Sequence, residues 1–413
     1  FFIGMKVLTA VLLVFACVLA VEANKKVLVV VDDLSMESTH SMFFKTLRDR
    51  GYELTFQAGS EEITSFHDYG EYNYDDLILF APTSENLNRQ FLSDVLDFID
   101  SGAGNVLIAG DPKASHFTND VIEECGAELG GTGHYVIDHL HYDKSNADGY
   151  HTLIVADNFV GSAVLGSASP KPILYKGNGL SLNANNRLVF PIVVGSSSSY
   201  CGHPEEYAED SSSAAGQNLV LVAGLQAANN ARIAITGSVE MFSDAFFVNE
   251  IQKLDGTSQS SGNSIFAQEL SKWVFGERGL IRVKSISHHL EGETEQKDSY
   301  IVKEMFTIVV EIEEYNGKEW VGYECSDLQI ELEMLDPYIR KTLTHQGNGI
   351  YTSTFQLPDV YGVFSLQLDY HRVGYSSLSE HSLITILPVR HTDYERFISS
   401  AYPYYTSAFA MMG

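Results

Sequence analysis

The chain has 413 residues, of which 54 are acidic and 26 basic, giving a formal net charge of −28. A surface so acidic repels nucleic acid and anionic lipid headgroups, and by charge neither is an expected partner. The composition, 45% hydrophobic and 19% charged, is that of a globular protein with ample material for two or three domain cores.

Met5 and Lys6 precede the apolar run VLTAVLLVFACVLA, and Val21-Glu22-Ala23 supplies small residues at the right distance for processing. This pattern predicts a secretory signal peptide cleaved after Ala23, with the four residues before Met5 read as upstream translation. The alternative, an uncleaved anchor, is disfavoured because the run is shorter than the ~20 residues a membrane span needs. Cys17 leaves with the signal, so Cys125, Cys201 and Cys325 remain. At most one pair can form among three, and their spacing does not say which.

From Lys26 the chain alternates between strand and helix patterns. KVLVVVD is a continuous apolar run suited to a strand buried on both faces. Residues 38–50 place Met42, Phe43 and Leu47 on one helical face, with Gly51 as the stop. YELTFQ and DDLILFAP follow as strands, and NRQFLSDVLDFIDSG as a helix with Phe91, Val95, Phe98 and Ile99 on one stripe and Gly102 at its end. GNVLIAGDP is another strand, and 115–129 another helix. TLIVADN, RLVFPIVVG, NLVLVAGLQ and ARIAITGSVEMFSD read as strands, with a polar loop between Gly195 and Gly216. SIFAQELSKWVFGERG is an amphipathic helix ended by Gly276 and Gly279. Strands alternating with helices predict a parallel sheet in a Rossmann- or flavodoxin-like α/β domain.

At Leu280 the helical period stops. IRVKSISHHL, MFTIVVEIEEY, LQIELEML, YTSTFQLP, VFSLQLDY and SLITILPV alternate with turn residues between them, which predicts an all-β sandwich. In the tail, Phe397, Tyr402, Tyr404 and Tyr405 cluster before a last apolar stretch. Amphipathic aromatic rings suit a membrane interface, so the three tyrosines are interface candidates. The residues alone leave open a buried terminal segment or the start of a transmembrane helix.

Chemistry is sparse. Neither GxxxxGK[ST] nor a GxGxxG after the first strand is present, and no cofactor is predicted. Cys125 in EECGAEL lacks the glycines of a nucleophile elbow and reads as a buried thiol. Asp32, Asp33 and Asp111 stand at expected carboxyl ends of strands, where ligands and Mg²⁺ gather in α/β folds. Aspartates there also begin turns and cap helices, which is the plainer role. GHYVIDHLHYD offers His134, Asp138, His139, His141 and Asp143, but the spacing fits a polar loop better than a zinc site. His288-His289 is expected to be a surface pair. Neither group is predicted to bind a metal.

The stretches THSMFFKTLRDRGYELTF, VIDHLHYD, TLIVADN, VLVAGLQAANNARIAITGS, MFSDAFF, LSKWVFGERGLIRV, SHHLEGET, LPDVYGVFSLQLDYHRVGY and HTDYERFISSAYPYYTSAFAMM together resemble one family. It is the family of the forty-eight-kilodalton subunit of the oligosaccharyltransferase, with its yeast wheat-germ-agglutinin-binding counterpart. The resemblance runs from about Lys26 to Gly413. It implies a type I protein of the endoplasmic reticulum membrane, mostly lumenal, with one transmembrane helix that would begin at the end of this chain. It implies a non-catalytic accessory role in assembling and stabilising the complex that moves a lipid-linked oligosaccharide to asparagine in N-x-Ser/Thr. Implied partners are the catalytic subunit, ribophorin I, ribophorin II and the small defender-against-death subunit, with no metal, cofactor or catalytic residue. The expected division is 1–23 for upstream residues and signal, 24–279 for the α/β domain, 280–390 for the β-sandwich, and 391–413 for a juxtamembrane segment and truncated transmembrane helix. The alternative is a lumenal sugar- or metal-binding enzyme using Asp32, Asp33 and Asp111.

Overall fold

The computed structural model describes residues 25–61, 63, 66–68, 70–145, 149–166, 171–205, 215–254, 256–393 and 398–413. The expected signal peptide and its cleavage point lie outside these residues. By internal contacts the chain forms two compact units. One comprises the described residues up to Gly279 together with Val373–Tyr375, the other Leu280–Arg372 with Ser376–Gly413.

The first unit is mixed α/β. Its labelled elements are β1 (Lys26–Val31), α1 (Ser41–Asp49), β2 (Glu53–Ala58), β3 (Asp76–Phe80), α2 (Arg89–Asp100), β4 (Asn105–Ala109), α3 (His116–Glu124), β5 (Val189–Val194), β6 (Val220–Gln226), β7 (Arg232–Thr236) and α4 (Asn263–Val274). A ten-stranded sheet runs β5-β6-β7-β4-β3-β1-β2, with Asn158–Phe159 beyond β5 and two short strands joined at β6. The five strands from β7 to β2 are mutually parallel, while β6 is antiparallel to both β5 and β7.

Side chains of a strand alternate between faces, and β1 shows what its apolar run accomplishes. Val27, Val29 and Val31 enter one core with Phe43, Phe44 and Leu47 of α1 and Phe266, Leu270 and Trp273 of α4. Leu28 and Val30 enter the other with Phe91, Val95 and Phe98 of α2 and Phe117 and Val121 of α3. A strand covered on both faces cannot afford polar residues, hence the unbroken run.

Local signals set most of the element ends. Asn88 accepts from Phe91 N at 2.8 Å and caps α2, and Ser115 caps α3 by accepting from Thr118 N. Gly51 and Gly102 follow their helices at φ 92° and 69°, a left-handed conformation that glycine adopts without a Cβ clash. Three details differ from expectation. His40 interrupts the first helix, and the helix after it buries Phe43, Phe44 and Leu47 while Met42 stays 40% exposed. The predicted helix 115–129 ends at Glu124, and Gly126 at φ 83° turns the chain into a short strand, Ala127–Leu129. The segment after β7 is a 3-10 turn and a five-residue helix rather than more strand.

The second unit is β-rich. One sheet pairs Leu280–Leu290 with Met305–Tyr315, which also pairs Ile350–Gln356 and Trp320–Gly322. The other pairs Gly362–Tyr370 with Leu378–Leu387 and with Gln329–Glu333. Alternation is regular: Phe306, Ile308, Val310 and Ile312 are buried, as are Phe364, Leu366, Leu368 and Tyr370. Tyr300, beside Leu378–Leu387, packs edge-on against Phe306 of the first sheet, ring centroids 5.0 Å apart. His288 corrects an expectation. It is buried at 4% exposure, with Nδ1 2.6 Å from the Tyr300 hydroxyl, so only His289 remains of the supposed surface pair. Burial, reinforced by His289, holds the His288 pKa below the usual histidine range.

Candidate functional site

Asp32 and Asp33 follow β1, and Asp111 follows β4, all on the carboxyl edge of the parallel strands. The Asp32 carboxylate accepts from Thr83 N at 3.2 Å and from Ser84 Oγ at 2.8 Å, tying the end of β1 to the loop after β3. Asp33 accepts from Ser35 N at 3.3 Å and Ser35 Oγ at 3.0 Å, opening the turn into helix Met36–Thr39. Asp111 accepts from Lys113 N at 2.9 Å, and its carbonyl from Ala114 N at 3.0 Å. Asp33 and Asp111 therefore shape their own turns, as short acceptor side chains allow, while Asp32 braces the neighbouring loop. Among the described residues, no group of three or more His, Cys, Asp or Glu is arranged to hold a metal ion.

The turns that Asp32 and Asp111 organise are two walls of one cleft. Ser115 N donates to Pro82 O at 2.7 Å and Thr118 Oγ1 donates to the same carbonyl at 3.3 Å, fastening the loop after β4 to the loop after β3. An open cleft of 680 Å³ lies there. Thr83, Glu85 and Arg89 line it from one loop and helix start, Lys113, His116, Asn119 and Asp120 from the other. Leu87, Leu92 and Phe117 supply apolar lining, and Phe117 stacks on Phe91 with centroids 5.7 Å apart. The rim charges, two cations and two carboxylates, make no ion pair with one another or with other described residues.

The histidine-rich stretch forms a separate network. Asp138 is buried and accepts from Leu140 N, His141 N and Ser198 Oγ at 2.8, 3.0 and 2.8 Å, and from Ser196 Oγ. Burial alone would raise its pKa, but these hydrogen bonds outweigh burial and hold the carboxyl below the ordinary range. His139 Nδ1 lies 2.7 Å from His151 Nδ1, and its Nε2 3.2 Å from the Tyr200 hydroxyl. Asp143 accepts from Ser145 and from Gln252 N. His134, outside this network, stands at the turn beside Gly131.

Tyr402, Tyr404 and Tyr405 begin the last helix, Tyr402–Met412, which buries none of its residues. Tyr402 and Tyr404 are 55% and 75% exposed. No helix among the described residues is long and apolar enough to cross a membrane. Cys125 is the buried thiol that its sequence context predicts, and burial, with Glu124 and Asp100 adding to it, pushes its pKa up to about 12. Iodoacetamide at neutral pH is expected to leave Cys125 unmodified in the folded protein and to alkylate it once urea opens the first unit. Mass spectrometry of that peptide checks this, and labelling at the native rate of a free thiol would refute it.

Arg89, Lys113, Asn119 and Asp120 were not candidates in the sequence. Nothing in their spacing marks them, since they meet only because β3 and β4 are neighbours in the sheet.

These features define a class: a mixed α/β unit with a walled cleft at its parallel strand ends, followed by a two-sheet β-rich unit. Residues 19–277 match the family described as OST48, N-terminal domain, and residues 288–413 match the OST48 middle domain. The chain belongs to the OST48 family. It is 41% identical over 417 aligned positions to the dolichyl-diphosphooligosaccharide–protein glycosyltransferase 48 kDa subunit of Drosophila melanogaster, covering 98% of this chain and 92% of that protein. Proteins of the same name from Arabidopsis thaliana and Danio rerio are 40% and 41% identical, over 94% and 95% of this chain and 90% of each relative.

Proposed function

We propose that this chain is a non-catalytic subunit of an oligosaccharyltransferase complex, where it supports assembly and stability during transfer of a lipid-linked oligosaccharide to asparagine in N-x-Ser/Thr. The observation that carries this reading is identity near 40% along almost the whole chain to proteins named as a subunit of that glycosyltransferase. In this reading the chain is a single-pass type I protein of the endoplasmic reticulum membrane with both units in the lumen. Its neighbours are the catalytic subunit, ribophorin I, ribophorin II and the defender-against-death subunit. Residues 24–279 are a Rossmann- or flavodoxin-like domain, supported by five parallel strands in the order β2-β1-β3-β4-β7. Residues 280–390 are a β-sandwich, and 391–413 lead to the membrane with Tyr402, Tyr404 and Tyr405 at its interface.

An accessory role also agrees with the strand-end aspartates, whose carboxylates accept from nearby loops, Asp32 from the loop after β3 and Asp33 and Asp111 from the turns they open. The full-length protein, purified from native membranes, is expected to bring oligosaccharide-transfer activity with it. The same polypeptide purified alone is expected to transfer no glycan to an acceptor peptide, and turnover by the lone chain would sink the proposal. Asp32→Asn with Asp33→Asn is expected to leave transfer by the assembled complex unchanged. Loss of transfer with normal assembly would put chemistry at that edge after all.

A further inference from the structure

We infer that the cleft between the loops following β3 and β4 is a binding site for an uncharged saccharide. The inference rests on the proposed role for the choice of ligand source and on the cleft itself for the ligand's chemistry.

The cleft is a preformed space at the carboxyl edge of adjacent parallel strands, where α/β folds present ligands to their loops. Its volume of 680 Å³ is in the range of small-molecule sites. Its walls are held in place by hydrogen bonds on both sides. Asp32 fixes Thr83 and Ser84, Asp111 fixes Lys113 and Ala114, and the Pro82 carbonyl receives both Ser115 N and Thr118 Oγ1. A site whose loops are already fastened loses less entropy when it binds.

The lining selects among ligand classes. Arg89 and Lys113 offer donors, Glu85 and Asp120 offer acceptors, and the Asn119 amide offers both. None of these five side chains is hydrogen-bonded or ion-paired to another described residue. Two positive and two negative charges cancel across the cleft. A phosphate or carboxylate ligand would meet both carboxylates, and a cation would meet both Arg89 and Lys113. A neutral ligand dense in hydroxyls can use every group, because each hydroxyl both donates and accepts. Apolar surface from Leu92 and Phe117 in the same cleft suits the less polar faces of a sugar ring. The chain as a whole carries −28, so this local balance is not imposed by composition.

The test uses full-length protein and a mannotriose bearing a photoreactive group, with labelled peptides located by mass spectrometry. Labelling is expected in 83–92 and 113–120, competed by free mannotriose and not by inorganic phosphate. Arg89→Ala with Asp120→Ala is expected to lower labelling about tenfold, the loss of one or two net hydrogen bonds. Thr132→Trp, an independent variant at an exposed lining position, should do the same by filling the space. Unchanged melting temperatures would show that both variants fold, and a variant that melts early is replaced in the comparison by the other. Absent labelling, labelling elsewhere, insensitivity to both variants, or competition by phosphate rather than sugar would each overturn the inference. Co-purification with transfer activity is measured in parallel. Wild-type protein that co-purifies but does not label in the cleft refutes only the saccharide site, whereas failure to co-purify refutes the subunit role whatever the labelling.

Discussion

Replacing Arg232 by alanine is expected to destabilise the first unit by roughly 4 kcal/mol. Arg232 opens β7 and is 1% exposed, yet no carboxylate pairs with it among the described residues. Its partners are backbone carbonyls: Nη1 donates to Trp273 O at 2.9 Å and to Arg278 O at 2.5 Å, and Nη2 donates to Gly279 O at 2.6 Å. These oxygens lie at and beyond the end of α4, where helical carbonyls have no partner within the helix and a cation is favoured. The guanidinium also lies 5.3 Å from the centroid of the Trp273 ring. Burial lowers its pKa to about 10, which still leaves it charged at neutral pH. Alanine would strip Arg278 O and Gly279 O of their donor, leave Trp273 O only its 3.3 Å bond from Gly276 N and the cap bond from Phe275 N, and open a cavity beside Trp273. Lysine could reach only part of the set, so Arg232→Lys should recover less than half of the loss. Urea unfolding followed by Trp273 fluorescence, with Trp320 replaced by phenylalanine to isolate the signal, checks both. A cost for the alanine variant below about 1 kcal/mol would mean that water satisfies these carbonyls as well as Arg232 does.

Arg232 also shows why the sequence conveys some features and hides others. In ARIAITG it is one charged residue at the start of an apolar run, a normal strand boundary. Its role depends on carbonyls some forty residues later. By contrast β1 announces itself, because burial on both faces requires five consecutive apolar residues. The alternating strands from Leu280 onward are equally plain, since one face of each meets a core. Strands of three residues, such as Tyr135–Ile137 and Leu180–Leu182, are too short to display a period. The shift from Met42 to Phe44 follows from the break at His40, which resets which residues of SMFF face inward. The helix begun at His116 ends at Glu124 because Gly126, at φ 83°, turns the chain where the predicted helix ran on to residue 129.

The candidate site was legible at its edge and not in its lining. Aspartates after apolar runs pointed to the carboxyl ends of β1 and β4, and Asp32 and Asp111 do stand beside the cleft's loops. The groups open to a ligand are one step further along. Arg89 opens its helix and Asn119 and Asp120 lie in the first half of theirs, where polar residues ordinarily face solvent and carry no pattern. Only the adjacency of β3 and β4, fixed by the register of Leu77 with Val106 and Leu79 with Ile108, brings the two helix starts together. Pairing between strands separated by a helix is a long-range fact that spacing along one segment cannot encode.

Asp76 is the buried group whose ionisation should matter most for stability. It opens β3 at 0% exposure. Its Oδ1 accepts from Asn105 Nδ2 at 2.8 Å and Asn105 N at 3.3 Å, while Oδ2 has no partner among the described residues. Burial pushes its pKa up to about 7, against the attraction of Lys25 and the hydrogen bonds from Asn105. The acid is therefore easier to ionise in the unfolded chain, near its ordinary 3.8, than in the folded one. Its contribution is most favourable below about pH 4, where both states hold the proton, and declines as pH rises towards 7. Above that the loss is complete, and the gap between the two pKa values corresponds to roughly 4 kcal/mol at most. Asp76→Asn, which keeps an acceptor for Asn105 and cannot ionise, should raise stability at pH 8 by a few kcal/mol and give no gain at pH 4. Urea midpoints of the two proteins at both pH values decide the matter. An equal effect at pH 4 and pH 8 would mean that Asp76 enters the fold already ionised, and that water or Lys25 solvates the open oxygen well enough to keep its pKa ordinary.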